Sequence, residues 1–173
     1  MLKELLLSLI LLLSLVTQIP NTTPLLTATQ EKKTLIVLGD SLSAAYGMAL
    51  KQGWVHLLAQ RLQNQGYNYQ VHNASISGDT TSGGRSRLSQ VLPQVKPAIV
   101  ILELGANDGL RGLSLKKMQK NLADMIVKSQ QAGAKVLLLG MRIPPNYGKA
   151  YTERFQQIYP ELATQYGVSL VPF

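Results

Sequence analysis

Thr34-Leu35-Ile36-Val37-Leu38-Gly39-Asp40-Ser41-Leu42-Ser43 is the stretch on which the fold turns. An apolar run of strand-forming residues stops at a glycine, and a serine stands two residues beyond it. A parallel strand covered on both faces reads as such a continuous hydrophobic run. Ligands on open α/β sheets bind just outside the carboxyl ends of their strands. Gly39 is expected to let the backbone turn sharply, bringing Asp40 and Ser41 to where side chains meet a substrate. Alone, the stretch fits a plain strand and a polar turn equally well, so the flanking sequence must discriminate.

Outward from this strand (Thr34 to Leu38), strands and helices alternate. Trp54, Val55, Leu57, Leu58 and Leu62 fall at helical spacing, and Gly66 closes that helix. Tyr67 to Val71 reads as a second strand, followed by a long polar turn containing Ser77-Gly78-Asp79. Leu88, Val91, Leu92 and Val95 mark the next helix, with Pro97 beyond it. The third strand, Ala98 to Leu104, is apolar but for Glu103 and ends in Gly105-Ala106-Asn107-Asp108-Gly109, read as a turn. Leu115, Met118, Leu122, Met125 and Ile126 form an amphipathic helix behind a Ser114 N-cap, ended by Gly133. Lys135 to Met141 is a fourth strand. A last helix carries Tyr151, Phe155, Ile158, Tyr159, Leu162 and Tyr166, a stripe that suits a core better than a ligand site. Pro160 inside it predicts a kink or a break. Val168 to Phe173 is a fifth strand. This alternation predicts an α/β fold of three αβα layers, with right-handed crossovers and a parallel five-stranded sheet.

In a parallel sheet the carboxyl ends of all strands share one edge, so the turns at Gly39-Asp40-Ser41, Ser77-Gly78-Asp79 and Gly105-Ala106-Asn107-Asp108 can converge. Together they supply the parts of acyl transfer. Ser41 offers a hydroxyl nucleophile. The N–H groups of Ser41 and Gly78 and the Asn107 amide can stabilise a developing oxyanion. Asp40 and Asp108 occupy turn positions where a carboxylate holds its loop through backbone N–H groups. Asn107 taken alone also fits an ordinary turn residue.

Gly39-Asp40-Ser41-Leu42-Ser43 resembles the first block of the GDSL (SGNH) hydrolases, Gly78 and its surroundings the second, and Gly105-Ala106-Asn107-Asp108 the third. The blocks agree in order and spacing, and the resemblance runs from about Lys33 to Phe173. Leu104 to Gly112 and Arg142 to Gly148 look like the TesA-type bacterial periplasmic branch of that family. The resemblance implies a flavodoxin-like sheet in the order 2-1-3-4-5. It also implies a serine hydrolase of acyl esters or thioesters, with arylesterase, thioesterase and lysophospholipase activities, acting through an acyl-enzyme on Ser41. It implies oxyanion donors at Gly78 and Asn107. Leu110, Ile143, Pro144 and Tyr147, apolar and placed at strand ends, are the candidates to line an acyl chain.

One departure stands out. The family's Asp-x-x-His block, which supplies the general base and its orienting carboxylate, would lie beyond the fifth strand, where this sequence stops. The two histidines, His56 and His72, match neither position. The expectation is a fragment of a longer product, a hydrolase domain over 34–173 truncated before its last helix. The short chain itself is expected to be nearly inactive, because a serine without its base is weakly nucleophilic. A non-catalytic acyl- or glycan-binding module that keeps the oxyanion pocket is the alternative. A dinucleotide-binding domain fits poorly, since no G-x-G-x-x-G follows the first strand.

Residues 1–28 read as a signal peptide of uncertain cleavage site, with 29–33 as a linker: a twelve-residue apolar block, Leu5 to Val16, is shorter than the span of about 20 residues that a membrane needs. An uncleaved anchor is the competing reading. A periplasmic or secreted protein follows. The absence of cysteine excludes disulfides and thiolate metal sites; neither metal nor cofactor is expected. The net charge of +8 comes from scattered Lys and Arg. It fits a solvated basic surface, or weak contact with anionic substrates or lipid surfaces. Aromatics do not interleave with the basic residues, so nucleic acid is not an expected partner. The expected partner is a small-molecule or lipid acyl ester, and the expected state a monomer.

Overall fold

Strand β1 (Lys33–Gly39) lies between β2 (Tyr69–Asn73) and β3 (Ile99–Glu103), and β4 (Lys135–Leu139) and β5 (Ser169–Val171) extend the sheet beyond β3. All four pairings are parallel, giving the order β2-β1-β3-β4-β5 that the family resemblance implies. The computed structural model describes residues 31–173. The leader read over residues 1–28 and the first part of the linker lie outside the described residues. Among the described residues, no helix is long and apolar enough to cross a membrane.

The crossovers are α1 (Trp54–Asn64), α2 (Thr81–Val95), α4 (Leu115–Gln131) and α5 (Lys149–Tyr166), with a short α3 (Ala106–Leu110) directly after β3. Side chains alternate across a strand, and β1 divides its apolar run accordingly. Ile36 and Leu38 face the large core built with α2, α4 and α5, while Leu35 and Val37 face α1 through Val55. Each fully buried aliphatic side chain contributes about 1.5–3 kcal/mol, so the face with three helices supplies most of the hydrophobic stabilisation. On the α1 face, Leu137 and Leu139 of β4 are only half-buried, whereas Val136 and Leu138 on the other face are buried.

Local signals set the ends of these elements. The Ser114 hydroxyl accepts a hydrogen bond from the Lys117 N–H at 3.3 Å and so caps α4. Gly167 ends α5 in the left-handed conformation, φ +60°. The aromatic stripe of α5 is core: Phe155 and Tyr159 are fully buried and meet edge to face, with centroids 5.7 Å apart.

Several boundaries differ from the sequence reading. The second strand runs Tyr69–Asn73 instead of Tyr67 to Val71, because the Tyr67 N–H closes the end of α1 on the Leu62 carbonyl at 2.9 Å. The slip is by two residues, so each side chain keeps its face. Strands three to five are each shorter than their apolar runs. The segment after Gly105, read as a turn, is α3. Nor does Pro160 break α5, which is helical from Lys149 to Tyr166. Both Pro160 and Gln156, whose carbonyl loses its helical donor there, are exposed, so water can satisfy that carbonyl.

Candidate active site

The turn that carries Ser41 begins inside β1. Gly39 is the last residue of the strand, in extended backbone, so its need for glycine is spatial and not the sharp turn expected from sequence. A Cβ there would lie 2.5 Å from both Glu103 Oε2 and Ser43 Oγ. Asp40 follows, buried; its Oδ1 accepts from the Leu42 N–H at 3.1 Å and its Oδ2 from the Asn107 amide at 3.0 Å. Burial pushes the Asp40 carboxyl up, and the hydrogen bonds from Leu42 and Asn107 pull it back. Ser41 is half-buried at the surface of this turn.

The second loop is tied to the same strand end. The Ile76 N–H donates to the Gly39 carbonyl at 3.1 Å, and the Asn73 amide to the Ser43 carbonyl at 2.8 Å. The Gly78 carbonyl accepts from Arg111 Nη2 at 2.8 Å, which ties this loop to the residue that follows α3. Asp79 pairs with Arg87, whose Nη2 also reaches the Gly39 carbonyl at 3.4 Å. Among the described residues, neither the Ser41 N–H nor the Gly78 N–H has an acceptor.

The third loop starts at Gly105, with φ +124°, where a Cβ would collide with the Tyr159 hydroxyl. That hydroxyl donates to the Leu104 carbonyl at 3.1 Å, and burial drives the phenol well above its ordinary range. Asn107, in the first turn of α3, donates one amide hydrogen to Asp40 and has a second to offer. Asp108 does not hold its own loop. Its carboxylate accepts from the Thr81 N–H at 2.8 Å and the Thr81 hydroxyl at 2.6 Å, and Asn121 donates to that hydroxyl at 3.1 Å. The start of α2, α3 and α4 are thus joined by one buried polar network. Asp108→Ala leaves two buried Thr81 donors unpaired and should cost about 2–4 kcal/mol, read from the urea midpoint at constant m-value.

The acyl-lining candidates divide. Ile143 is buried in the core, where Gly109 leaves room for it beside Phe155, so it is not free to meet a ligand. Leu110, Pro144 and Tyr147 are exposed, and the Tyr147 hydroxyl donates to the Leu110 carbonyl at 3.0 Å, joining the loop before α5 to the end of α3. His56 lies on α1, lining a small cavity of about 220 Å³ with Ser43 and Asn73. His72 lies on β2, exposed, in register with Ile36. Neither imidazole hydrogen-bonds Ser41.

Three strand ends thus bring together a serine, two N–H groups without acceptors and an amide. The sequence model of the GDSL-like lipase/acylhydrolase family matches residues 37–173. The chain belongs to that family. It is 54% identical over 149 residues to the esterase TesA of Pseudomonas aeruginosa, covering 86% of this chain and 74% of that protein. An Escherichia coli protein named as thioesterase, protease and lysophospholipase is 44% identical over 140 residues, 81% of this chain and 66% of that protein. A crystal structure of TesA superposes with a TM-score of 0.80 at 55% identity, over 82% of this chain and 78% of that one.

In this GDSL-family chain, several residues that hold the site together were given no role from the sequence. Ser43, Asn73, Thr81, Arg87, Arg111 and Glu103 hold the three loops together through hydrogen bonds spanning 27 to 63 residues of sequence. One of them was detectable. Glu103 is the lone charge in a buried strand, and buried charges require partners. The others are polar residues in turns, at the end of β2 or on α2, with no local sign that separates them from solvated ones.

Proposed function

We propose that the protein hydrolyses acyl esters or thioesters through an acyl-enzyme on Ser41. In this reading Ser41 Oγ attacks the acyl carbonyl and its proton passes to a general base, which is not assigned to His56 or His72. The carbonyl oxygen becomes an oxyanion held by the Ser41 N–H, the Gly78 N–H and the second Asn107 amide hydrogen. Collapse expels the alcohol or thiol, and water releases the carboxylic acid from Ser41. The observation that carries this reading is the pair of N–H groups without acceptors beside a serine whose neighbour, Asp40, orients Asn107. The exposed Leu110, Pro144 and Tyr147 support an acyl chain lying along the end of α3. The family relatives named as esterase and as thioesterase and lysophospholipase support substrates of that class. The apolar block Leu5 to Val16 supports export to the periplasm or beyond.

Covalent labelling tests the assignment. Full-length protein treated with an alkyl phosphonofluoridate should gain one phosphonyl group, and peptide mass spectrometry should place it on Ser41. A label on another residue overturns the assignment. Absence of label, with an acyl ligand still bound, would favour a binding module without turnover.

A further inference from the structure

β3 carries a single charged residue, and the acyl-transfer steps above do not use it. Glu103 is buried at the carboxyl end of the strand, in register with Gly39. Its Oε2 accepts from the Ser43 hydroxyl at 2.6 Å and from the Asp40 N–H at 3.3 Å. Its Oε1 is buried with no partner among the described residues. An unpaired buried carboxyl oxygen is costly, and an apolar residue of similar size would serve packing alone at least as well. Gly39 leaves the space that the carboxyl occupies. The two donors bracket the nucleophile: Asp40 precedes Ser41, and Ser43 follows it by two.

We propose that Glu103 is a positioning residue for Ser41, its Oε2 tying the Asp40 N–H and the Ser43 hydroxyl together beneath the turn and so fixing the direction of Ser41 Oγ and the Ser41 N–H. The inference rests on Ser41 being the nucleophile.

Ionisation gives it a signature. Burial raises the Glu103 carboxyl to about 7; the Ser43 hydroxyl pulls it down and the Asp40 carboxylate pushes it up. The other groups turned toward this strand end are the Tyr159 phenol from α5, Asp108 from α3, and Arg87 from α2 with its partner Asp79. An ionised carboxylate accepts both hydrogen bonds more strongly than a protonated one, so the turn is held above about pH 7 and loosens below it. Stability runs the other way. The native carboxyl binds its proton more tightly than the unfolded one, whose ordinary value is 4.5, so stability falls as pH rises from there through about 7.

The experiment uses full-length protein with p-nitrophenyl butyrate from about pH 5 to 9, following kcat, KM and Tm for wild type, Glu103→Gln, Ser43→Ala and Ser41→Ala. Glu103→Gln should lower kcat about tenfold or more at the alkaline end with KM little changed, as displacement of a reacting group does. Its acid limb should lose one ionisation, the slope of log kcat against pH falling from about two to about one. Its Tm should no longer decline between weakly acidic and neutral pH. Ser43→Ala should retain the limb but move it to higher pH, because the lost hydroxyl is the group that pulls Glu103 down. Wild-type kcat and limb in Glu103→Gln overturn the proposal. Should that variant fail to fold, an unmoved limb in Ser43→Ala overturns it instead. Wild-type turnover by Ser41→Ala would defeat the nucleophile assignment itself. An inactive Ser41→Ala beside an unaltered Glu103→Gln defeats Glu103 alone.

Discussion

Ser41→Ala is expected to lower kcat/KM for p-nitrophenyl esters of the full-length protein by about 10³-fold or more, the order of loss seen when a serine hydrolase loses its nucleophile. The substitution removes one oxygen and leaves the rest of the site in place. Asp40 loses the Ser41 hydroxyl but keeps its hydrogen bonds from the Leu42 N–H and the Asn107 amide, and the Gly78 carbonyl keeps its bond from Arg111. Ser41 is half-buried at the end of a turn, so the change in stability should stay within about 0.5 kcal/mol. A collapse in rate with an unchanged Tm is therefore the expected pair of results. Rates within a few-fold of wild type, for both a short and a long acyl chain, would remove Ser41 from the chemistry.

Asn107→Ala should cost about 10²–10³ in kcat with little change in KM, the scale for one oxyanion donor. Ground-state binding is spared because the donor acts on charge that develops only in the transition state. This variant carries a second effect that is smaller in Ser41→Ala, because Asn107 pulls the Asp40 carboxyl down more than the Ser41 hydroxyl does. The Asn107 amide is one of the groups holding the Asp40 carboxyl down, so its removal drives that buried carboxyl further up. A native carboxyl raised above its unfolded value weakens the fold as pH rises through the ordinary carboxylate range. Asn107→Ala should accordingly lose more Tm at neutral than at acidic pH, measured by thermal unfolding across that range. An unchanged kcat would exclude the amide from the oxyanion site. A Tm loss independent of pH would show that Asp40 does not depend on it.

What the sequence could disclose followed from the range of the interaction involved. Periodicity and caps are local, so the βα alternation, the sheet order through its family resemblance, the Ser114 cap and the α5 core stripe were legible. The three loop motifs were legible because backbone chemistry restricts which residues can stand there. Cross-loop partners were not. Asp108 was assigned to its own turn, yet it binds Thr81, 27 residues away. Ile143 was assigned to a ligand, yet Gly109 makes space that draws it into the core. Gly39 was read as the point of a sharp turn, whereas its missing side chain admits a carboxyl from the neighbouring strand. Each miss concerns a contact between segments distant in sequence, which exists only once the sheet has brought its strand ends together.

The pairing of β1 with β3 therefore has a kinetic meaning. The bonds from Asn107 to Asp40 and from Ser43 to Glu103 close loops of 67 and 60 residues across that pairing. Closing such loops costs chain entropy before any contact repays it, which makes non-local parallel pairing slow. Helices α1 and α2, drawn from the intervening chain, can form earlier from local signals. A refolding molecule can thus be rich in helix and still lack the junction of Asp40 with Asn107 and of Ser43 with Glu103, because that junction is assembled by the register of two central strands.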